Sequence, residues 1–202
     1  MLSLLGGTLA AAGALAAATS PQQVPAVIYT DATFSVRNTT NISYAQGLVC
    51  ADGTFPGKAC SPVDLLLDVY EPVAKARDGG GAPVPALKPA YILSHGGGNS
   101  GGEKEQWCVQ GAANFYAARG LVAFNIDYRL AGQKGLLPPA TPDPAGTLGW
   151  TPAWQSAYPA VRDLKAAIRF VKANAEKFGV DPNRVVVSGG SAGTASHSRP
   201  HM

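Results

Sequence analysis

The sequence has little charge and few metal-binding side chains. Charged residues make up 14% of the 202 positions, the net charge is +3, and basic residues neither form a run nor alternate with aromatic ones. Nucleic-acid binding needs such a basic face, so we expect no nucleic-acid partner. The three cysteines and three histidines stand at unrelated spacings. They match no metal-ligand pattern, so we expect no metal ion.

The sequence also lacks the motifs that hold nucleotides. It contains no G-K-[ST], and no G-x-G-x-x-G that opens a helix directly after a strand. We therefore expect no nucleotide, and no other cofactor is indicated. Internal repeats are absent. With 46% hydrophobic residues, the chain is long enough to bury the core of one globular domain.

The N-terminal segment resembles a targeting signal. Residues 1–18 are uncharged, rich in Ala, Gly and Leu, and end among small residues before Thr19-Ser20-Pro21. This favours a cleaved secretory signal over residues 1–20, although the usual positive n-region is missing. The alternative is an uncleaved anchor, but so much Ala and Gly is weakly apolar for a bilayer. We expect no stable membrane span and a secreted protein.

Two further features agree with a secretory route. Asn38-Thr39-Thr40 and Asn41-Ile42-Ser43 are glycosylation sequons, and Cys50 and Cys60 bracket a short loop with Gly and Pro. We favour a Cys50 to Cys60 disulfide over two free thiols. The alternative is that the two sequons occur by chance and that both cysteines are free. Cys108 is left over, either as a small buried hydrophobe or with a partner in sequence that the chain lacks.

Apolar runs and periodicity predict alternating strands and helices. After a polar lead-in, strands are predicted at 63–70, 90–94, 121–127 and 184–188, with Glu71-Pro72 ending the first. Helices are predicted at 103–119, with Gly120 as its stop, and at 159–178, with Pro159 in its first turn and Gly179 as its C-cap. Residues 76–89 and 131–154 are predicted loops, and 181–183 a turn. This order implies βαβ units and a mainly parallel sheet.

A serine between close glycines follows the last predicted strand. The run 184–188 is short and apolar, and it leads into Gly189-Gly190-Ser191-Ala192-Gly193. G-x-S-x-G between a strand and a helix is typical of a nucleophile elbow, in which the serine lies in strained backbone. Side chains at 189 and 193 would collide, which explains both glycines. The alternative is an inert turn serine.

A second glycine motif and several shorter ones carry a family resemblance. His95-Gly96-Gly97-Gly98 follows the strand 90–94. Three further segments occur in the same order as the motifs of a known family: Leu67 to Pro72, Asp127-Tyr128-Arg129-Leu130 and the run 158–193. The chain resembles the esterase and lipase family of the α/β-hydrolase fold, close to carboxylesterases and feruloyl-esterase-like proteins. The resemblance covers residues 65–193. It implies the N-terminal part of an α/β-hydrolase fold, with a mainly parallel sheet and flanking helices.

The resemblance implies hydrolysis of a small-molecule ester. Ser191 would attack the carbonyl carbon, and the backbone N–H groups of Gly96, Gly97 and Ala192 would hold the oxyanion. His95 is expected to brace its loop rather than act as the base, because the base of this family follows the serine. Asp127 and Arg129 are interpreted as structural partners in a strand-end turn.

The acid and base of the family are missing from the expected places. The triad order is Ser, then Asp or Glu, then His, but residues 192–202 contain no Asp or Glu and only His197 and His201. We expect neither histidine to be catalytic. The strand 184–188 would become an exposed apolar edge, because the family's sheet continues beyond it. We therefore expect a truncated chain with little or no turnover.

These features divide the chain into a signal peptide at 1–20, an incomplete α/β-hydrolase domain at 27–193 and an atypical tail at 194–202. A serine-dependent carboxylic-ester hydrolase is the leading interpretation. The alternative is a non-catalytic binding or dimerisation module on the same scaffold, and a serine peptidase of this fold is a weaker third.

Overall fold

The chain forms a five-stranded sheet with helices on both faces. The computed structural model describes residues 29–50, 59–75, 82–133 and 152–195. Its strands are β1 (Ser35–Cys50), β2 (Cys60–Val73), β3 (Lys88–Ser94), β4 (Val122–Ile126) and β5 (Val180–Gly189). Its helices are α1 (Trp107–Ala117), α2 (Pro152–Ala173), α3 (Ala175–Phe178) and α4 (Ala192–Ala195), with a 3-10 turn at Ala131–Gln133.

The sheet has the strand order β1-β2-β4-β3-β5 and combines two kinds of pairing. β3 pairs parallel with β4 and with β5, while β2 pairs antiparallel with β1 and with β4. The α/β class with flanking helices is thereby confirmed, in the form of a mixed sheet. Parallel neighbours need a crossover, which α1 supplies between β3 and β4, whereas β1 and β2 are consecutive and pair antiparallel.

Two apolar layers hold the helices to the sheet. α2 covers one face, where Leu164, Ala167 and Val171 pack against strand residues such as Ile92 and Phe124. α1 covers the other face, where Val109, Ala113 and Ala117 pack against Tyr70, Leu93 and Ala123. Both helices therefore fix the central strands β3 and β4, whose carboxyl ends lead into the glycine loop and the DYRL segment.

Strand β1 was not predicted, because its sequence was interpreted as a polar lead-in. It pairs with β2 from Ser35↔Val73 to Cys50↔Cys60, with register shifts after Thr39 and Ser43. An edge strand with one solvated side is rich in polar residues, and the shifts break the two-residue alternation that identifies strands. Only pairing with β2 makes this segment a strand.

Several predicted boundaries were wrong for local reasons. β2 continues through Glu71-Pro72 to Val73, which is tolerated because β4 pairs with β2 only as far as Tyr70. α2 begins at Pro152, so Pro159 lies inside the helix and not in its first turn, and the loop predicted at 131–154 ends earlier. The predicted turn at 181–183 is an irregularity inside β5, where the ladder passes from Lys88↔Val180 to Ala90↔Val185.

Other local predictions are confirmed. Gly179 has a φ of 59° and is the left-handed C-cap of α3, although the helix predicted at 159–178 is interrupted at Asn174 between α2 and α3. Gly120, with a φ of 94°, follows α1 two residues after its C-cap Ala118. Cys50 and Cys60 form a disulfide across the β1–β2 pair. Cys108 is free and exposed, which contradicts the first of its two alternatives, a buried hydrophobe, and leaves the second untested.

The proposed signal peptide, residues 1–20, lies outside the described residues, as do 196–202 of the proposed tail with His197 and His201. Within the described ranges, no helix is long and apolar enough to cross a bilayer.

Candidate active site

Ser191 lies at the turn between strand β5 and helix α4. β5 ends at Gly189 and α4 begins at Ala192, so the serine is at the tip of a strand-to-helix turn. Its φ is 51°, a left-handed conformation that costs a non-glycine residue energy. Ser191 is exposed. Strained and accessible backbone of this kind is what the G-x-S-x-G spacing predicts.

The two flanking glycines are required by close backbone packing. A Cβ added to Gly189 would lie 2.6 Å from the carbonyl carbon of Gly193 and 2.8 Å from Ser94 Oγ. A Cβ added to Gly193 would lie 2.6 Å from the carbonyl oxygen of Ser94 and 2.7 Å from that of His95. The elbow therefore packs directly on the end of β3, and the obstacle at position 193 is β3 rather than a side chain at 189.

The loop between β3 and α1, residues 95–106, passes beside the serine. The N–H of Gly190 donates to the carbonyl oxygen of Ser94 at 3.2 Å. A Cβ added to Gly96 would lie 3.5 Å from Ser191 Cβ and 3.1 Å from the Gly190 carbonyl oxygen. A side chain at this position would be crowded. The two glycine motifs, far apart in sequence, thus meet at the serine.

The same loop folds back on itself through a tight turn. Gly97 has a φ of 122°, and its carbonyl oxygen accepts N–H groups from Ser100 and Gly101, each at 3.1 Å. A Cβ at Gly97 would overlap the carbonyl oxygen of Gly101, and one at Gly102 would overlap that of Gly96. Glycine is needed at both positions because the two sides of the loop are in contact.

His95 is buried beneath this loop, with its ring nitrogens facing Gly96 and Asp127. It is 1% exposed, its Nδ1 donates to the Gly96 carbonyl oxygen at 2.8 Å, and its Nε2 lies 3.8 Å from Asp127 Oδ1. The ring stacks on Tyr128, whose hydroxyl donates to the His95 carbonyl oxygen at 2.9 Å. Burial raises the pKa of Tyr128 to about 12, so this hydroxyl stays a donor. These contacts support the predicted bracing role.

Asp127 and Arg129 are structural residues, but they do not pair with each other. Asp127 Oδ1 accepts the Lys104 N–H at 2.7 Å. Burial raises the pKa of the Asp127 carboxyl, while the Lys104 N–H and ammonium oppose that shift. Arg129 instead forms a buried ion pair with Asp163 on α2, at 2.6 Å, and donates to the Leu48 carbonyl oxygen on β1. Each residue therefore joins β4 to a different neighbouring element.

Lys104 is a buried residue of this region that the sequence did not single out. It was assigned to a helix predicted at 103–119, but α1 begins at Trp107 and Lys104 lies in the preceding turn. The residue is 2% exposed. A single lysine outside any motif carries no sequence signal of burial, because lysine is almost never buried without a charged partner and its buried partner Asp68 is 36 positions earlier.

The structure brings several of the predicted site residues together. Gly96 lies against Ser191, Gly97 follows it in the same loop, and Ala192 comes directly after the serine at the start of α4. In the described part of the chain, no group of three or more His, Cys, Asp or Glu side chains could hold a metal ion. The arrangement offers a hydroxyl in strained backbone beside a glycine loop.

An α/β sheet with a strand-serine-helix elbow packed on a glycine loop is typical of the α/β-hydrolase fold. The family model described as BD-FAE matches residues 149–197, which include the elbow. Among solved structures, the thermophilic esterase Est2 of Thermogutta terrifontis aligns over 65% of this chain and 37% of its own, at 30% identity and a TM-score of 0.46.

Several curated relatives are esterases by name, and one is a neuroligin-like protein, glit-1 of Caenorhabditis elegans. Gut esterase 1 of Caenorhabditis elegans is 36% identical over 56% of this chain, and that of Caenorhabditis briggsae is 35% identical over 77%. Carboxylesterase NlhH of Mycobacterium tuberculosis is 34% identical over 52%. The chain spans only 18%, 23% and 26% of the length of these three relatives. The resemblance of the chain to the esterases of the α/β-hydrolase fold is confirmed.

Proposed function

We propose that the chain carries the nucleophile and the oxyanion-binding backbone of a serine-dependent carboxylic-ester hydrolase. The observation that carries the proposal is the contact between the two glycine motifs at Ser191, where a Cβ added to Gly96 would lie only 3.1 Å from the Gly190 carbonyl oxygen and 3.5 Å from Ser191 Cβ. The positive φ of Ser191 and the esterase names of the relatives support it.

The proposed reaction follows from the groups at this point. Ser191 Oγ attacks the carbonyl carbon of a small-molecule ester, and its proton passes to a base. The negative oxygen of the tetrahedral intermediate accepts N–H groups from Gly96, Gly97 and Ala192, of which each typically contributes roughly 3 to 4 kcal/mol. The C–O bond to the alcohol then breaks, the alcohol leaves with a proton, and water hydrolyses the acyl-serine.

The base is the missing participant among the described residues. His95 is the one histidine in these ranges, and its nitrogens face Gly96 O and Asp127. A serine hydroxyl without a base is a weak nucleophile, so we expect slow turnover by this 202-residue chain alone. The same observation favours the second candidate, a non-catalytic binding or dimerisation module on this scaffold.

We further propose a secreted glycoprotein. The Cys50 to Cys60 disulfide supports an oxidising compartment, and the sequon residues Asn38 and Asn41 are both exposed on β1, where an oligosaccharide has room. A glycosidase-sensitive mass shift of protein secreted by eukaryotic cells checks this.

The ester-hydrolase proposal is tested by acetyl transfer from p-nitrophenyl acetate to the purified chain. We expect slow p-nitrophenol release and an acetyl group on Ser191, located by peptide mass spectrometry, and faster acetylation when neutral imidazole supplies a soluble base. Ser191→Ala should abolish acetylation. Ser61→Ala, an exposed serine on β2, is the matched control and should react like the wild type. Equal release by wild type and Ser191→Ala, with no acetyl-serine, would leave the binding module as the better description.

A further inference from the structure

Lys104 is a buried cation to which the proposed ester chemistry assigns no role. Its Nζ lies 3.3 Å from Asp68 Oδ1 on β2 and also binds the Glu105 carboxylate. The Lys104 and Asp68 side chains are 2% and 0% exposed. A buried ion pair contributes little net stability, because desolvating two charges offsets most of their attraction. Its position next to the glycine loop therefore needs another explanation.

The backbone of Lys104 is tied to the sheet as well. Its N–H donates to Asp127 Oδ1 at 2.7 Å, and its carbonyl oxygen accepts Asn125 Nδ2 at 3.2 Å. Asn125 on β4 is the direct cross-strand partner of Asp68 on β2. One loop residue is thus held by its ammonium, its N–H and its carbonyl oxygen to two adjacent strands.

Gly102 connects this anchor to the candidate oxyanion donors. It precedes Lys104 by two residues, has a φ of 99°, and packs so closely that a Cβ would overlap Gly96 O and His95 Nδ1. A displacement of Lys104 therefore moves Gly102 against the peptide groups of Gly96 and Gly97. Hydrogen bonds from Ser100 and Gly101 to Gly97 O keep this part of the loop rigid, so it transmits the displacement.

The electrostatics keep Lys104 charged. Burial by itself lowers the pKa of the ammonium, but the hydrogen bond to Glu105 and the charges of Asp68 and Asp127 raise it above its ordinary value. The ammonium therefore stays charged at neutral pH.

We propose that Lys104 is a positioning residue that sets the distance of the Gly96 and Gly97 N–H groups from the oxyanion formed at Ser191. Its catalytic consequence rests on the proposed function, whereas its effect on the loop does not. Oxyanion donors act only within a narrow range of distance, so a small shift of the loop is enough to weaken them.

The test uses uniformly 15N-labelled full chain with Lys104→Met, which keeps the length of the side chain and removes its charge. We expect the amide resonances of Gly96 and Gly97 to shift or broaden, while those of α2 stay in place. Lys165→Met, an exposed lysine on α2, is the matched control and should leave both glycine resonances unchanged.

A second variant keeps the test decisive if Lys104→Met does not fold. Lys104→Met leaves Asp68 buried without its cation, which is strongly destabilising. Asp68→Asn/Lys104→Met removes both charges and retains an amide oxygen for the Asn41 N–H, which donates to Asp68 Oδ1 at 2.9 Å. A folded double variant with unshifted Gly96 and Gly97 amides would overturn the proposal. If neither variant folds, amide hydrogen exchange of the wild type decides: protection of Lys104 N–H equal to that of β4 supports the anchor, and exchange at the rate of an open loop refutes it.

The acetylation assay separates this inference from the proposed function. If both are correct, the folded variant should acetylate Ser191 about tenfold to hundredfold more slowly than Lys165→Met, since it loses part of the donor contribution. An inert wild-type Ser191 together with shifted glycine amides would refute the ester-hydrolase proposal and retain the loop anchor. Normal acetylation by the folded variant would show that the anchor does not position the donors.

Discussion

At the scale of single residues, the candidate site depends on glycines that leave room for other backbone. The spacing of Gly189 and Gly193 around Ser191 is visible in the sequence, and so is the run Gly96-Gly97-Gly98. The atoms that exclude a side chain at Gly193 are the carbonyl oxygens of Ser94 and His95, about a hundred positions earlier. Local steric reasoning predicted the right residues and the close approach of Gly189 to Gly193, but not the backbone at the end of β3 that excludes a side chain at Gly193.

This packing predicts opposite effects for two glycine to alanine changes. Gly193→Ala should lower the free energy of unfolding by about 1 to 3 kcal/mol or more, because its methyl group meets backbone that cannot move aside. Gly111→Ala, in helix α1 with no atom within 4 Å of the added methyl, should raise it by roughly 0.5 to 1 kcal/mol. Urea unfolding followed by circular dichroism measures both. A tolerated Gly193→Ala would mean that the elbow does not pack on β3 as described.

The sequence indicated one of the two braces of the site and missed the other. His95 was expected to brace its loop, and its buried ring between Tyr128 and Asp127 agrees with that role. Lys104 was missed, because what distinguishes it is a set of three contacts to β2 and β4. Contacts between residues so far apart in sequence leave no local periodicity.

At the scale of elements, the β1–β2 pair shows what one covalent link adds to an edge. The two strands pair along their whole length, and the disulfide closes the connection at the Cys50↔Cys60 end. The polar sequence of β1 alone does not select a strand, so pairing with β2 and the link stabilise it together. The cysteines were identifiable from their spacing, whereas the strand that carries one of them was not.

Removing this link is expected to cost stability. Cys50→Ser/Cys60→Ser should lower the free energy of unfolding by about 2 to 3 kcal/mol, since the unfolded chain regains the freedom of a loop closed over a separation of 10 residues. Cys108→Ser is the matched control. That thiol is exposed and free, so its change should stay within about 0.5 kcal/mol. Equal losses in the two variants would exclude loop closure as the cause.

At the scale of the whole molecule, the described sheet ends in an apolar strand. β5 pairs with β3 on one side and has no neighbour on the other among the described strands. Val186 on this strand is 49% exposed. A valine-rich strand with one edge open among the described strands is a template for pairing with another chain.

A charge on this strand should therefore improve the behaviour of the 202-residue chain in solution. We expect Val186→Lys to reduce concentration-dependent association, measured by sedimentation velocity, because an ammonium on an edge strand opposes pairing with a second chain. Leu87→Lys is the control, since Leu87 is 48% exposed but precedes β3, an interior strand. If both variants reduce association equally, loss of hydrophobic surface and not the edge is responsible.

The sequence by itself determined the α/β class, the central strands, the elbow at Ser191 and the disulfide pairing. Each depends on a local signal: an apolar run, a glycine spacing or two cysteines around a short loop. The tertiary structure alone decided that the sheet is mixed, that β1 is a strand, that Arg129 joins Asp163, and that Lys104 ties the glycine loop to β2 and β4. These features depend on contacts between segments that are far apart in sequence. Such contacts form only when the chain folds, so no local sequence pattern indicates them.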